Sequence, residues 1–149
     1  MNQNLTHRKA TIADLRTIVN LLLEDELGQT REQFSAELDQ AYIDAFYKID
    51  SDPHQYLMIV EMNKEIVGTC HLTIMLSLTF IGSTRMQIEA VRISEKYRGK
   101  HFGEWMMSIA MKYGKSQKVS PLFSSQLIKN VQEPNSSMKD LVLKQHMKE

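Results

Sequence analysis

One segment, residues 85–117, constrains the possible folds of this chain more than any other. It opens with alternating residues, RMQIEAVRI, which predict a strand over Arg85–Ile93. A short turn, RGKHFG, leads into EWMMSIAMKYGKSQ, whose apolar residues recur at helical spacing. The apolar faces predicted for the strand and the helix are Met86, Ile88, Ala90 and Arg92, and Trp105, Met106, Ile109, Ala110 and Tyr113.

The turn between this strand and this helix is predicted to bind an anion. The first N–H groups of a helix have no acceptor within the helix, and the helix dipole favours negative charge there. Gly99 and Gly103 let the main chain approach a phosphate closely, and Arg98 and Lys100 add positive charge. Most basic, glycine-containing loops before helices are only turns, so the surrounding sequence must decide.

The rest of the chain supplies the other elements of an α/β layer. Residues 5–10 predict a strand, and helices are predicted over 11–23 and about 34–49. Two further strands are predicted over Tyr56–Met62 and from Glu65 to about Phe80. The order of strand, two helices, three antiparallel strands and a helix predicts an α/β fold with a mixed, mostly antiparallel central sheet flanked by helices.

The composition fits one domain over residues 1–149, with 42% hydrophobic and 24% charged residues. The net charge of zero predicts no general attraction to nucleic acid or to an anionic membrane. Residues 1–53 hold ten Asp/Glu and five Lys/Arg, whereas residues 54–149 hold eight and thirteen. That asymmetry suits a cationic substrate with an anionic cofactor, and it also suits an ordinary solvated surface.

Several other kinds of protein are disfavoured. Cys70 is the only cysteine and lies in an apolar run, so a buried thiol and a reducing, cytoplasmic location are expected. The five histidines show no metal-ligand spacing, so no metal site is expected. The N-terminus lacks a signal-peptide pattern, and no apolar run reaches the roughly 20 residues of a membrane-spanning helix.

The run IEAVRISEKYRGKHFGEWMMSIAMKYGK resembles the central motif of the GNAT acetyltransferases, in which an R/Q-x-x-G-x-G/A turn follows the fourth strand. RKATIADLRTIVNLL resembles the first strand and helix of that family, and YLMIVEMNKEIVGTCHL its second and third strands. The resemblance covers about residues 5–118. It implies a GNAT-like fold and an N-acetyltransferase that moves an acetyl group from acetyl-CoA to a primary amine by direct attack.

The resemblance also assigns residues to the cofactor. Val91, Arg92 and Ile93 would offer backbone hydrogen bonds to the pantetheine arm of acetyl-CoA. The pyrophosphate would be wrapped by the turn residues Arg98, Gly99, Lys100, His101, Phe102, Gly103 and Glu104. His101 stands where the family pattern has its first glycine, and a positive φ there would cost on the order of 1 kcal/mol. Its side chain would either contact phosphate or be an exposed loop histidine.

Glu89 is the predicted acid/base residue, because the attacking amine must lose a proton and family members often carry a glutamate near this point. The alternative is a strand glutamate that faces solvent. His71, on the neighbouring strand, is a weaker candidate for the same role. Glu24, Asp25 and Glu26 follow the first helix, where they either shape the acceptor pocket or lie in a solvated loop.

Residues 119–149 depart from the family, which continues with a strand and an A-x-x-F-Y-x-x-x-G-F helix whose Tyr commonly protonates the leaving thiolate. The sheet is therefore expected to be incomplete at its C-terminal end, and activity to be reduced. In a reading frame shifted by one base, the codons of 123–149 can encode QLTTDKKRPRAQQFYERLGFKATHEG, which contains the motif. We hypothesise a one-base change near codons 119–123, which sequencing the gene and weighing the protein would test.

Two alternatives stay open beside the acetyltransferase. One is a non-catalytic acyl-CoA-binding module, and the other is a truncated GNAT-like protein that self-associates, for example as a homodimer. The acceptor is not determined by the sequence, because small polyamines, amino acids, antibiotics and protein N-termini all use this scaffold. Titration with the cofactor and a thioester-cleavage assay with amines would separate the three.

Overall fold

A computed structural model describes residues 4–24 and 37–119 of the chain. The strands are β1 (Leu5–Lys9), β2 (Gln55–Met62), β3 (Glu65–Met75) and β4 (Arg85–Ile93), and the longer helices are α1 (Leu15–Leu23), α2 (Gln40–Asp50) and α3 (Phe102–Ser116). Short helical turns lie at Ile12–Asp14, Thr79–Gly82 and Glu95–Tyr97. The predicted order of elements is confirmed. Asp25, Glu26 and residues 120–149, the segment of the frameshift hypothesis, lie outside the described residues.

The four strands form one sheet in the order β1-β2-β3-β4, and all three pairings are antiparallel. The prediction of a mostly antiparallel sheet flanked by helices is confirmed. Within the described residues β4 is an edge strand, with β3 on one side only. The predicted incompleteness of the sheet concerns residues after 119, which are not described. No helix in the described ranges has both the length and the apolar character needed to cross a bilayer.

The sheet separates two hydrophobic cores. Helix α3 covers one face, where Met106 and Ala110 are fully buried against strand residues such as Leu72 and Ile88. Helices α1 and α2 cover the other face, where Val19 and Phe46 pack around Ile59. Each face therefore has its own helical layer, and a side chain's position in the strand pleat decides which layer it meets.

A β-bulge in β4 overturns one prediction about its faces. The register with β3 shifts between Thr69 and His71, and Ala90 has a left-handed φ of 51°. Such a bulge adds one residue to a strand and reverses the alternation beyond it. Ala90 therefore does not lie on the predicted core face, and Arg92, two residues on, is out of phase with it.

The core face of β4 continues instead through Val91 and Ile93, which join Met86 and Ile88 in the core beneath α3. Ala90 lines a cavity on the opposite face of the sheet. Strict alternation could not show this change, because a bulge leaves no clear mark in the pattern of apolar residues.

Three other boundaries or faces differ from the sequence predictions. Strand β3 was predicted to reach about Phe80 but ends at Met75. Phe80 and Ile81 have left-handed φ angles of 50° and 61°, which a strand does not accommodate. Helix α2 begins only at Gln40, where the Asp39 carboxylate accepts the N–H of Ala41 at 2.8 Å as an N-cap. The buried face of α3 is centred on Phe102, Gly103, Met106, Met107, Ala110 and Gly114, whereas Trp105, Ile109 and Tyr113 are only partly buried.

An ion pair joins β1 to the start of α1 and makes the stability of the fold depend on pH in the acidic range. Arg8 donates to both carboxylate oxygens of Asp14, from Nη1 at 2.7 Å and from Nη2 at 2.9 Å. The N–H of Thr11 donates to the same carboxylate at 2.7 Å. The hydrogen bonds from Arg8 lower the pKa of Asp14 to about 2 from its ordinary value of 3.8.

This carboxylate is more acidic in the folded chain than in the unfolded chain. Its contribution to the free energy of unfolding is therefore complete above pH 4 and is lost as the pH falls through 2. We expect a loss of about 2 kcal/mol in the free energy of unfolding across that window. Urea denaturation at a series of pH values would measure it. Asp14→Asn should remove this part of the acid dependence, and an unchanged pH profile in that variant would contradict the assignment.

Candidate functional site

The turn after β4 presents an uncapped helix N-terminus. The first hydrogen bond of α3 runs from the N–H of Trp105 to the carbonyl of His101 at 3.2 Å. The N–H groups of Phe102, Gly103 and Glu104 therefore have no acceptor inside the helix. The N-cap residue is His101, and its side chain makes no capping hydrogen bond. This arrangement suits an anion, because the N–H groups at the start of a helix and the helix dipole both favour negative charge.

Two residues of the turn have left-handed backbones, Gly99 with a φ of 78° and His101 with a φ of 64°. The glycine adopts this conformation without strain, whereas the histidine bears the cost expected for a side chain at a glycine position. The side chain of His101 is 78% exposed, and its Nδ1 lies 3.5 Å from Oε1 of Glu104. The side chain is therefore exposed, and a contact of His101 with phosphate stays a prediction.

Gly99→Ala tests how firmly the turn holds its left-handed backbone. A Cβ at this position would meet no atom within 4 Å, so the whole cost is in the backbone. We expect the free energy of unfolding to fall by about 1 kcal/mol, the penalty for an L-residue in this region. Urea denaturation measures the change, and His101→Gly, which relieves the same strain, is the matched control. Equal stability of Gly99→Ala and the parent chain would show that the turn relaxes.

Tyr97 packs against the start of α3 and supports the turn, a role that its local sequence does not indicate. It is 5% exposed, its hydroxyl donates to Oε2 of Glu65 at 2.7 Å, and its ring stacks on Phe102 with centroids 5.8 Å apart. The ammonium groups of Lys96 and Lys100 lie 5.0 and 5.4 Å from the centre of the same ring. The ring thus holds two positive charges beside the start of α3. Only the cross-sheet contact with Glu65 reveals this role.

Glu24, at the end of α1, contacts the segment that leads to the turn. Its Oε2 accepts the N–H of Glu95 at 2.9 Å and lies 3.7 Å from Nη2 of Arg98. Arg98 also donates from Nε to the carbonyl of Ile93 at 3.2 Å. These contacts give Glu24 a part in positioning the turn, and its role in shaping an acceptor pocket stays a prediction.

The end of β4 brings Val91, Arg92 and Ile93 directly to the turn. The side chains of Val91 and Ile93 are buried beneath α3. The carbonyl of Val91 accepts a hydrogen bond from Nη1 of Arg92 at 3.0 Å. On the side that faces β3, β4 lies so close that a Cβ added to Gly68 would be 3.0 Å from the carbonyl oxygen of Arg92.

Glu89 lies beside His71 on the face of the sheet opposite α3. Nδ1 of His71 is 3.7 Å from Oε1 of Glu89, and the two side chains are 17% and 36% exposed. The Nε2 atom of His71 hydrogen-bonds Oε1 of Gln55 at 2.6 Å, and that oxygen also accepts the hydroxyl of Thr73. Burial lowers the pKa of His71, against the opposing effect of Glu89, so the imidazole is neutral at neutral pH.

A cavity of about 140 Å³ opens next to His71, between the sheet and the two helices α1 and α2. Its lining is contributed by Leu15, Ile18, Val19, Leu22, Tyr42, Ala45, Phe46, Ile49, Leu57, Thr69, His71 and Ala90. Ala90 reaches it only because of the bulge. The cavity and the turn thus lie along one segment of the chain, in which Glu89 precedes Ala90 of the cavity lining and the turn begins at Arg98.

The described residues contain no group of three or more His, Cys, Asp or Glu side chains that could hold a metal ion. The sole cysteine, Cys70, is fully buried, and burial raises the pKa of its thiol to about 12. This thiol is therefore protonated and inaccessible, which excludes it as a nucleophile.

Comparisons with known proteins agree with one another. The sequence model described as "Acetyltransferase (GNAT) family" matches residues 18–141. A structure described as a transcriptional regulator from Bacillus halodurans C-125 is 32% identical, with a TM-score of 0.79 over 89% of this chain and 87% of that one. No curated protein matches the sequence.

Two more distant structures share the fold. Glucosamine-6-phosphate N-acetyltransferase from Arabidopsis thaliana is 18% identical, with a TM-score of 0.72 over 92% of this chain and 89% of that one. A predicted acetyltransferase with acetyl-CoA from Clostridium acetobutylicum is 15% identical, with a TM-score of 0.65 over 95% and 88% of the two chains.

Proposed function

Because the chain belongs to the acetyltransferase (GNAT) family, we propose that it transfers an acetyl group from acetyl-CoA to a primary amine. The observation that carries this proposal is the N-terminus of α3, which has no side-chain cap and follows, after residues 94–101, a bulged strand that bears Glu89 and is an edge strand among the described residues. A candidate anion site and a carboxylate thereby lie on one continuous segment, residues 89–104. Acetyl-CoA, with a pyrophosphate and an extended arm, has the shape and the charge for that arrangement.

The residues present fit the cofactor. The pyrophosphate would be held by the N–H groups of Phe102, Gly103 and Glu104, with positive charge from Arg98 and Lys100. At Gly99 no atom lies within 4 Å of a Cβ position, so the backbone is open to a phosphate there. The pantetheine arm would follow the edge of β4 at Val91, Arg92 and Ile93. When bound, acetyl-CoA supplies the activated thioester.

Glu89 is the proposed general base. A primary amine is protonated at neutral pH, and its nitrogen becomes a nucleophile only when a proton has moved to the carboxylate. The amine nitrogen would then form the new bond to the acetyl carbon as the carbon–sulfur bond breaks, without an acyl-enzyme, and the second proton lost by the nitrogen would go to the departing thiolate of CoA. Direct attack is supported by the buried, protonated state of Cys70.

Two measurements test the proposal. Calorimetric titration with acetyl-CoA should show saturable binding, and release of free thiol in the presence of an amine should exceed the release without amine. Thioester cleavage that no amine accelerates would overturn the proposal. Binding without any cleavage would favour the non-catalytic acyl-CoA-binding alternative, and concentration-dependent assembly with neither activity would favour the self-associating one.

A further inference from the structure

The cavity beside His71 differs in polarity from a site built for a polycation. Among the described residues of its lining only Tyr42, Thr69 and His71 have polar side-chain groups, and none of these described residues has a carboxylate. The hydroxyl of Thr69 is already occupied, since it donates to the carbonyl of Met58 at 2.8 Å. A second positively charged group on a ligand would therefore lose its hydration without gaining an ion-pair partner among the described lining residues.

The size of the cavity limits what can fill it. About 140 Å³ is close to the roughly 150 Å³ of an engineered apolar cavity that binds benzene. A phenyl ring or a branched alkyl group of similar size would fill the space and exclude water from it. A long polar chain would not gain comparable contact with Leu22, Phe46 and Leu57.

The polar end of the cavity is complementary to an amine. Because Oε1 of Gln55 is an acceptor, Nε2 of His71 is the donor in their 2.6 Å hydrogen bond. The neutral ring then carries its lone pair on Nδ1, which lies 3.7 Å from a carboxylate oxygen of Glu89. An ammonium group placed between these two acceptors has an N–H to donate to each of them.

We propose that the acceptor is a primary amine with a single positive charge and a phenyl or branched alkyl substituent. The substituent occupies the cavity under α1 and α2, and the amine bridges Nδ1 of His71 and Oε1 of Glu89. His71 is thus a positioning residue, which orients the amine that Glu89 deprotonates. This inference rests on the proposed function, because it takes the site as that of the acceptor.

A panel of amines tests the inference on the full-length chain. Binding of phenethylamine and of spermidine is measured by ligand-observed NMR without acetyl-CoA, and turnover by thiol release with it. We expect phenethylamine to bind and its kcat/KM to exceed that of spermidine by at least about 100-fold. Preference for spermidine with normal turnover would overturn the inference and leave the proposed function standing. Phenethylamine binding without turnover would overturn the proposed function alone.

A matched pair of variants tests the polarity of the lining. Leu22 is half-buried at the rim of the cavity, so Leu22→Asp adds a carboxylate where a second ammonium group could pair. We expect this change to narrow the preference for phenethylamine over spermidine by at least about 10-fold, whereas the neutral Leu22→Asn leaves the ratio near that of the parent. Equal ratios in both variants would contradict the location of the substituent. If neither variant folds, the panel on the parent chain decides alone.

A separate measurement, the KM for phenethylamine, tests the role of His71. His71→Phe keeps an aromatic ring but removes Nδ1, so we expect the KM for phenethylamine to rise about 10-fold while the Kd for acetyl-CoA is unchanged. His71→Asn, which restores a hydrogen-bonding group, should recover part of the loss. A fall in kcat with an unchanged KM in both variants would contradict a positioning role.

Discussion

Replacing Glu89 with Gln is expected to lower kcat/KM for amine acetylation by about 100- to 1000-fold, within the range that a positioned general base contributes. Glutamine keeps the size of the side chain and its place beside His71 but cannot accept the proton of the amine. Initial rates of thiol release across pH 6–10 would measure the effect. The defect should shrink toward high pH, because an amine that is already neutral in solution needs no base on the protein.

Binding of acetyl-CoA separates this effect from a structural one. Glu89→Gln should bind the cofactor with the Kd of the parent chain, since the pyrophosphate turn begins nine residues further along the sequence. Asp44→Asn, on the exposed side of α2, is the matched control for loss of one negative charge and should keep full activity. If Glu89→Gln loses activity equally at every pH, Glu89 is not the base.

Lys100→Glu is expected to weaken acetyl-CoA binding by about 10- to 100-fold. The change removes a positive charge and adds a negative one beside the N-terminus of α3, and each charge interacts with phosphate by about 1 kcal/mol or more over a few ångströms. Calorimetric titration at low and moderate salt would measure the Kd. The difference between the two proteins should diminish as salt rises, because these groups are exposed.

Lys112→Glu is the control for this charge reversal. Lys112 lies on the exposed side of the same helix, roughly 12 Å beyond its first turn, where screening is already strong. We expect its Kd for acetyl-CoA to remain within about twofold of the parent value. Equal weakening by both variants would show that net charge governs binding, and the turn would lose its assigned role.

Much of the fold could be predicted because its signals are local. The alternation in Arg85–Ile93 and the helical spacing after Phe102 each arise within a few residues, so their elements were identified correctly. The need for a left-handed residue at His101 also follows from local sequence, as a family turn pattern with a missing glycine. The turn itself was therefore located before its geometry was known.

The contacts that position the site could not be predicted, since they join residues far apart in the chain. Tyr97 is held by Glu65 and the turn is held by Glu24, across 32 and 71 positions of sequence. No periodicity marks either pair. The sequence predicted either an acceptor pocket or a solvated loop for Glu24, and only the packing of α1 on the sheet shows that its carboxylate accepts the N–H of Glu95.

The sequence alone determined which residues form the turn before α3 and that a carboxylate, Glu89, lies on the strand leading to it. Backbone conformation and helix polarity follow from short-range sterics and hydrogen bonding, which neighbouring residues largely specify. Only the tertiary structure decided that Glu89 faces His71 and that Ala90 opens onto an apolar cavity. A bulge of one residue and the packing of two helices set those contacts, and both depend on side-chain packing throughout the core.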